Sequence, residues 1–265
     1  MFKELLNFKN SKNQIIALLI ALLLISAPRL EFIVLFRLFV LCLGFTILFD
    51  LVLTYIKTRK FFFPHSAIIT GLILTLIVDW GASWYQMVVI CLIAISSKVF
   101  IKPEGRHIFN PTAFGLLGGW LVFGLYPSWW APSLYQPGSI TIPNILVYIP
   151  VVLIFYVSSF RGRRLPTVGT FLFTYVAIST LSGQSASLVS AVSTVFSVGS
   201  LFYLFLMVVE PKTSPIFVRK QILYGAFIAA ATVIIILILQ TLKLSFFDSS
   251  LTALLLGNLV FRFWR

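Results

Sequence analysis

The chain alternates between long apolar runs and short polar connections. Ten runs lie at roughly 13–27, 32–56, 65–80, 84–101, 111–126, 143–160, 165–181, 188–209, 221–241 and 249–264. Lipid offers no hydrogen-bond partner to a backbone N–H or C=O group, and a single segment satisfies these groups by forming a helix. A membrane span needs about 17–25 residues, so several runs are near the lower limit and two of them could be half-helices. The pattern predicts an all-α polytopic membrane protein of about ten transmembrane helices.

The composition agrees with a membrane protein and leaves little chain for anything else. Hydrophobic residues make up 60% of the sequence and charged residues 10%, and the mean hydropathy is +1.04. Soluble domains carry about 25% charged residues to cover their surface. We therefore expect residues 1–265 to form a single transmembrane domain.

The basic residues are distributed unevenly between the two predicted sides of the membrane. With ten spans, seventeen of the 20 lysines and arginines fall on the side that also holds both termini. Arg29 and Lys243 lie on the opposite side, and Arg37 lies just inside the second run. The positive-inside rule makes the basic side cytoplasmic, in a bacterial inner membrane. It also accounts for the net charge of +13, so the expected partner is the lipid bilayer and not nucleic acid.

Two parts of the chain show a faint internal symmetry. Asn110–Gly118 opens the fifth run and resembles Ser250–Asn258, which opens the tenth. Residues 13–126 and 143–264 each contain five predicted spans. Because five is odd, the second half begins on the opposite side of the membrane and is inverted relative to the first. Transporters with inverted repeats and interrupted helices hold their ligands near the membrane midplane. The pattern thus predicts two inverted five-helix repeats.

Two polar segments interrupt the apolar runs where a ligand could bind. In the first, Asn110 is a predicted N-cap and Pro111 occupies the first turn. Such a helix start directs N–H groups towards an anion, and Arg106 adjoins it. The second segment, Glu210–Pro215, has two prolines and two hydroxyl groups at a helix exit. An ordinary capped helix and a rigid turn remain the alternative interpretations.

A few further residues have side chains that could carry chemistry. Asp50 is the one acidic residue inside a run, and it is either a structural ion pair near Lys57 or a proton or ion site. His65 and His107 stand at helix entrances without metal-ligand spacing, so we predict hydrogen-bonding roles and no metal. The cysteines are expected to be buried and apolar in character. No nucleophile–base pair is visible, so we assign no catalytic residue.

Four segments of the chain together resemble one known family. His107–Gly115 looks like the H-I-F-N-P-A-x-x-G motif of the family that contains RnfD and NqrB, membrane subunits of the Rnf complex and of the sodium-pumping NADH:quinone reductase. Ile69–Leu74 is similar to its T-G-L-L-L run, and Val209–Pro215 resembles T-D-P-V-T-S-P with Glu210 in place of Asp. Ala253–Leu259 is like its final helix. The resemblance implies a urea-transporter-like fold and a flavin cofactor.

One departure from the family concerns the mode of flavin attachment. The family links FMN to the threonine of an S-G-A-T sequence, which is absent from the loop at 126–143. Ser197-Val198-Gly199-Ser200 also lacks the threonine. We therefore predict noncovalent FMN or riboflavin and no covalent flavin. The candidate cofactor-binding residues are Thr70, Gly71, Arg106, His107, Asn110, Thr112, Glu210, Thr213 and Ser214.

Two functional hypotheses follow from these observations. In the first, the chain is a membrane subunit of an Rnf/Nqr-like, flavin-linked, ion-translocating electron-transport complex and works beside other membrane subunits. In the second, it is a stand-alone transporter or channel for a small neutral or flavin-like solute. Whether the chain is part of an enzyme stays open. Both hypotheses require the two interrupted segments to converge beside a cavity.

Overall fold

A computed structural model describes residues 9–102, 105–132 and 142–264, and within these ranges the protein is helical with no strand. Residues 1–8, 103–104, 133–141 and 265, which include part of the loop at 126–143, lie outside the described residues. The helices are α1 Ser11–Ser26, α2 Phe32–Thr58, α3 His65–Ile77, α4 Trp84–Phe100, α5 Pro111–Phe123, α6 Ile142–Phe155, α7 Leu165–Leu181, α8 Leu188–Val195, α9 Val198–Phe202, α10 Val218–Leu242 and α11 Ser249–Val260.

Each predicted apolar run contains at least one of these helices, but their lengths differ. Three are long and apolar enough to cross a membrane: Ser11–Arg29, Phe32–Thr58 and Val218–Leu242. Two bent pairs, Leu146–Phe160 with Leu165–Leu181 and Leu188–Val195 with Val198–Val208, raise this number to five if each pair is one span. The predicted eighth run is therefore two helices, bent by 53°. Ser197 causes the break, because its extended backbone ends one helix and its side chain caps the next.

Several predicted runs also end earlier than their hydrophobicity indicates. α3 stops at Ile77 because Val78 is extended, and α5 stops because Gly124 adopts the left-handed conformation with φ of +69°. Glycine takes this conformation at no steric cost and so ends helices readily. These ends leave α3 and α5 with 13 residues each, shorter than an ordinary span.

The outer faces of the helices are strongly apolar. Phe32, Ile33, Phe173 and Leu181 are each more than 75% exposed. Soluble monomers rarely expose large apolar side chains in such density, whereas lipid solvates them. The described part of the chain therefore has helices whose surface suits a membrane.

Small residues let neighbouring helices approach closely. A Cβ atom added at Gly71 of α3 would lie 2.4 Å from Thr46 Oγ1 on α2. One added at Gly225 of α10 would lie 2.4 Å from the carbonyl oxygen of Thr167 on α7. Close packing at small residues is the usual basis of helix association in membranes.

Two helices end in π-helical segments, which position the site described below. The first, Tyr156–Phe160, continues α6, and the second, Tyr203–Val208, continues α9. A π-helical turn adds a residue to the helical repeat and is frequent at functional sites. Both segments contribute side chains to one cavity.

Candidate functional site

The carboxylate of Glu210 brings the two polar interruptions together. His107 Nε2 lies 3.1 Å from Glu210 Oε1, and Asn110 Nδ2 donates to Oε2 at 2.9 Å. Thr213 Oγ1 donates to Oε2 at 3.3 Å, and Ser214 Oγ donates to the Glu210 carbonyl at 2.8 Å. Residues about a hundred positions apart in sequence thus share one carboxylate. Such charge-assisted bonds are the stronger class of hydrogen bond.

Asn110 connects this carboxylate to the last two helices. Its side-chain oxygen caps α5 by accepting from the Ala113 N–H at 3.1 Å. Its own N–H donates to Asn258 Oδ1 at 2.8 Å, and Asn258 Nδ2 donates to the Tyr224 hydroxyl at 2.7 Å. A polar network therefore crosses from Glu210 through α5 to α11 and α10. Every member identified is at least partly buried, so the network holds these elements in one arrangement.

The loops around Glu210 are tied together by two arginines. Arg106 donates to the Pro211 carbonyl at 3.1 Å, and Arg164 donates to the Pro215 carbonyl. Arg164 is buried at the start of α7. Its burial lowers the pKa of the guanidinium, and the neighbouring charge of Arg106 lowers it further.

A cavity of about 390 Å³ lies beside the contact between Asn110 and Glu210. Four predicted site residues line it: Thr70, Asn110, Thr112 and Glu210. Its apolar wall includes Ile69, Ile73 and Phe205, and its polar rim includes Lys12, Arg161 and Lys212. This volume is within the range of small-molecule sites, which combine apolar walls with a few polar groups.

Both π-helical segments contribute to the wall of this central cavity. The first supplies Val157 and Ser158, and the second supplies Phe205 and Leu206. In an ordinary α-helix the register of these side chains would be different. The irregular backbone therefore borders the space that a ligand could fill. In membrane proteins, irregular backbone is tolerated only where it is enclosed by protein or lines a cavity.

The remaining predicted site residues have other positions. Gly71 faces α2 and makes the close approach described above. Arg106, Thr213 and Ser214 hold the loops and do not line the central cavity, whereas His107 borders a second cavity. Their assignment as cofactor-binding residues stays a prediction.

Asp50 forms an ion pair, and its partner is Lys98. Their side chains are 2.8 Å apart and only 1% and 11% exposed. Lys57, the partner expected from sequence, instead donates to the Val99 carbonyl at 2.7 Å. The pair neutralises a charge that would otherwise be costly in a membrane interior. Whether Asp50 also has a proton or ion role stays open.

The second cavity, of about 330 Å³, lies next to the central one. Asp50, Lys98, His65 and His107 line it together with Lys12, Lys57, Lys102 and Lys212. Lys12 and Lys212 belong to both cavities. We name this second cavity the basic vestibule.

The cysteines and the stretch at Ser197 make contacts that account for them structurally. Cys42 and Cys91 are buried and unlinked, and Cys91 Sγ lies 3.7 Å from the Cys42 carbonyl. Among the described residues, no group of three His, Cys, Asp or Glu side chains could hold a metal ion. In the stretch compared with the flavin-attachment motif, Ser197 Oγ accepts from the Ser200 N–H at 3.3 Å and thereby caps α9.

Sequence reasoning did not single out several residues that form the site. Asn258 carried a weak signal, because it is a lone amide in an apolar run. Tyr224, Phe205 and Lys12 carried no such signal. Tyrosine is common at membrane interfaces, phenylalanine in apolar runs, and lysine in cytoplasmic segments. Their roles follow from the approach of helices distant in sequence.

Comparison with known proteins adds no relative. No protein-family model matches the chain, and no curated protein matches it significantly. The resemblance to the RnfD/NqrB family therefore rests on the four quoted motifs and stays a prediction.

Proposed function

We propose that this chain is an integral membrane subunit of an Rnf/Nqr-like, flavin-linked electron-transport complex that translocates ions. In this proposal the central cavity holds FMN or riboflavin noncovalently. The observation that carries it is the cavity itself, which borders both polar interruptions and both π-helical segments. A site built from the irregular parts of several helices is the arrangement that membrane proteins use for ligands.

The residues that line the central cavity fit a flavin. Ile69, Ile73 and Phe205 offer a flat aromatic ring an apolar surface, and Thr112 and Asn110 offer polar groups to its substituents. A flavin would supply one- and two-electron transfer, which no side chain of this site provides. The protein's own part is to exclude water, orient the ring and hold the charge of Glu210 nearby through His107 and Asn110. We propose no covalent attachment.

We further propose two inverted five-helix repeats in a urea-transporter-like fold. In the first half α2 contacts α3 and α4, and α4 contacts α5; in the second α7 contacts α8 and α10, and α10 contacts α11. α5 and α11 are antiparallel, because Asn110 before α5 contacts Asn258 near the end of α11. At the opposite ends, Trp120 contacts Phe246, with ring centroids 4.7 Å apart. Corresponding helices of opposite direction support an inverted repeat.

A third cavity supports the same symmetry. Its volume is about 230 Å³, and Phe171 of α7, Ser197 at the helix break and Thr232 of α10 line it. The basic vestibule is lined by the corresponding elements of the first half: α2, the start of α3 and the end of α4. Each half would thus contribute most of the lining of one cavity, with Lys212 added to the basic vestibule and Trp129 to the third cavity.

For orientation, we propose a bacterial inner membrane with both termini and the basic vestibule on the cytoplasmic side. The concentration of lysines and arginines in the connections on that side supports this orientation. The apolar outer faces leave room for other membrane subunits of the complex, and electron transfer requires such partners.

The second candidate function is transport of a small neutral or flavin-like solute. The specific observation in its favour is the presence of two bent helix pairs, as in transporters with interrupted helices. The break between Phe160 and Leu165 borders the central cavity, and the break at Ser197 borders the third cavity. Uptake of riboflavin into proteoliposomes that contain this chain alone would favour transport over electron transfer.

The first test is the visible spectrum of the purified protein before and after denaturation. We expect a flavin that is released on denaturation. Ile69→Trp, which places a large side chain in the cavity wall, should reduce bound flavin at least tenfold by filling the space. Ile33→Trp is the matched control, because Ile33 is 77% exposed on the outer face of α2 and should leave binding unchanged. A colourless protein that takes up neither riboflavin nor FMN contradicts the proposal.

A further inference from the structure

The basic vestibule collects lysines from distant parts of the sequence. Lys12 comes from the start of α1, Lys57 from the end of α2, Lys98 from the end of α4, Lys102 from the connection that follows, and Lys212 from the turn after Glu210. Among the described residues that line the cavity, these five lysines face one carboxylate, Asp50, and Lys98 already pairs with it. The positive-inside rule explains the side of the membrane, but not convergence on one concave space.

Local helix electrostatics account for only two of the five lysines. Lys57 and Lys98 are near the C-terminal ends of α2 and α4, where a cation complements the helix dipole. Lys12 is the second residue of α1, and there a cation is unfavourable because the helix N-terminus is itself positive. Lys102 and Lys212 lie in connections outside the helices. These three lysines therefore need another explanation.

Two polar atoms of the lining lack a partner and thus have bonding capacity left. His65 Nε2 and Asp50 Oδ2 are buried and form no hydrogen bond within the described part of the chain. A buried polar atom without a partner is destabilising unless a ligand or water satisfies it. His65 Nε2 can donate to an anion when it carries the proton, whereas Asp50 Oδ2 only accepts and needs a donor such as a lysine or water. His65 is also the first residue of α3, whose positive dipole end adjoins the vestibule.

A cation is the wrong ligand for this space. It would compete with Lys98 for Asp50 and would face four further ammonium groups. An anion that accepts several hydrogen bonds satisfies the lysines and His65 together, and a phosphate oxygen is the usual acceptor for lysine in such sites.

We propose that the basic vestibule is a binding site for a phosphate group on the cytoplasmic side. The group belongs to a soluble phosphate compound or to the headgroup of an anionic lipid, and both present the same oxygens. The site is separate from the apolar part of the central cavity. It does not depend on whether a flavin binds there.

The test uses the full chain purified in an uncharged detergent. Pyrophosphate binding is measured by titration calorimetry, and retention of phosphatidylglycerol against phosphatidylcholine is measured by native mass spectrometry. We expect binding of at least one of the two phosphate probes. Pyrophosphate alone identifies a soluble ligand, and selective retention of phosphatidylglycerol alone identifies a lipid headgroup. Failure of both probes overturns the proposal.

Variants locate the site in the vestibule. Lys57→Gln with Lys102→Gln should weaken binding at least tenfold, because these two lysines line the basic vestibule and not the central cavity and each substitution removes a charge-assisted hydrogen bond. Lys60→Gln with Lys220→Gln is the matched control, since it removes the same charge from lysines that line neither cavity. Elution volume and melting temperature without ligand check folding. Equal binding by the two double variants overturns the assignment to this cavity. The flavin proposal is tested separately by the spectrum.

Discussion

At the residue scale, Glu210 has the most consequential position in the structure. Its side chain is 20% exposed and accepts hydrogen bonds from Asn110 and Thr213 while contacting His107. A carboxylate has two oxygens and about four acceptor sites, so it can bind several donors at once. A single acidic residue can therefore connect a helix start on one half of the chain with a helix exit on the other.

The variant Glu210→Gln tests this role. The amide retains one acceptor oxygen but carries no charge, so the hydrogen bonds to it lose their charge assistance, and an NH₂ group turned towards Asn110 Nδ2 would meet a second donor. We expect a loss of about 1.5–3 kcal/mol, the range for hydrogen bonds to charged groups, measured as a lower melting temperature in detergent. Glu31→Gln is the control, because Glu31 is exposed and makes no side-chain capping bond. Equal melting temperatures for the two variants would contradict the bridging role.

At the scale of elements, packing at small residues determines how the helices fit. Gly71 of α3 meets α2 at a distance that a larger residue would not allow. Gly115 of α5 and Gly257 of α11 make similar approaches, to α4 and α10 respectively. These contacts hold the helix axes close together. They thereby fix the positions of the polar and apolar side chains that line the cavities.

The variant Gly71→Ala tests this packing. The added Cβ would lie 2.4 Å from Thr46 Oγ1 and 2.9 Å from Leu43 Cα, so α2 and α3 must separate. Overpacking of this kind costs about 1–3 kcal/mol, and we expect a lower melting temperature. Gly44→Ala on α2 is a sharp control, because no atom lies within 4 Å of its added Cβ and alanine favours the helix. If both variants melt alike, the close approach is not a determinant of stability.

At the scale of the whole molecule, the distribution of charge makes a prediction about orientation. Residue 60 should face the cytoplasm and residue 186 the opposite side. In a background with Cys42 and Cys91 replaced by alanine, Lys60→Cys should resist an impermeant thiol reagent in intact cells. Ala186→Cys should react with it. Labelling of both positions from the same side would refute the ten-span topology, since that topology places an odd number of spans between them.

The sequence by itself determined the helical class and most helix starts. Asn110 caps its helix through its side chain as predicted, and Asp248 and Ser187 do the same directly before the predicted runs that begin at 249 and 188. These are local properties, because a cap bonds to an N–H group two or three residues away. An ion pair between Asp50 and a lysine was one of the two interpretations that the sequence left open, and the lysine expected was Lys57, not Lys98.

Tertiary structure alone decided which polar residues meet. Lys98 and not Lys57 pairs with Asp50, and Asn258 and Tyr224 join a network that begins at Glu210. The π-helical segments and the break at Ser197 likewise have no clear hydropathy signal, since the residues around them remain apolar. The hydrophobic pattern of a helix depends on the residues of that one segment, whereas a cavity depends on the relative positions of several segments. For this reason the cavities and the convergence of five lysines emerged only from the folded chain.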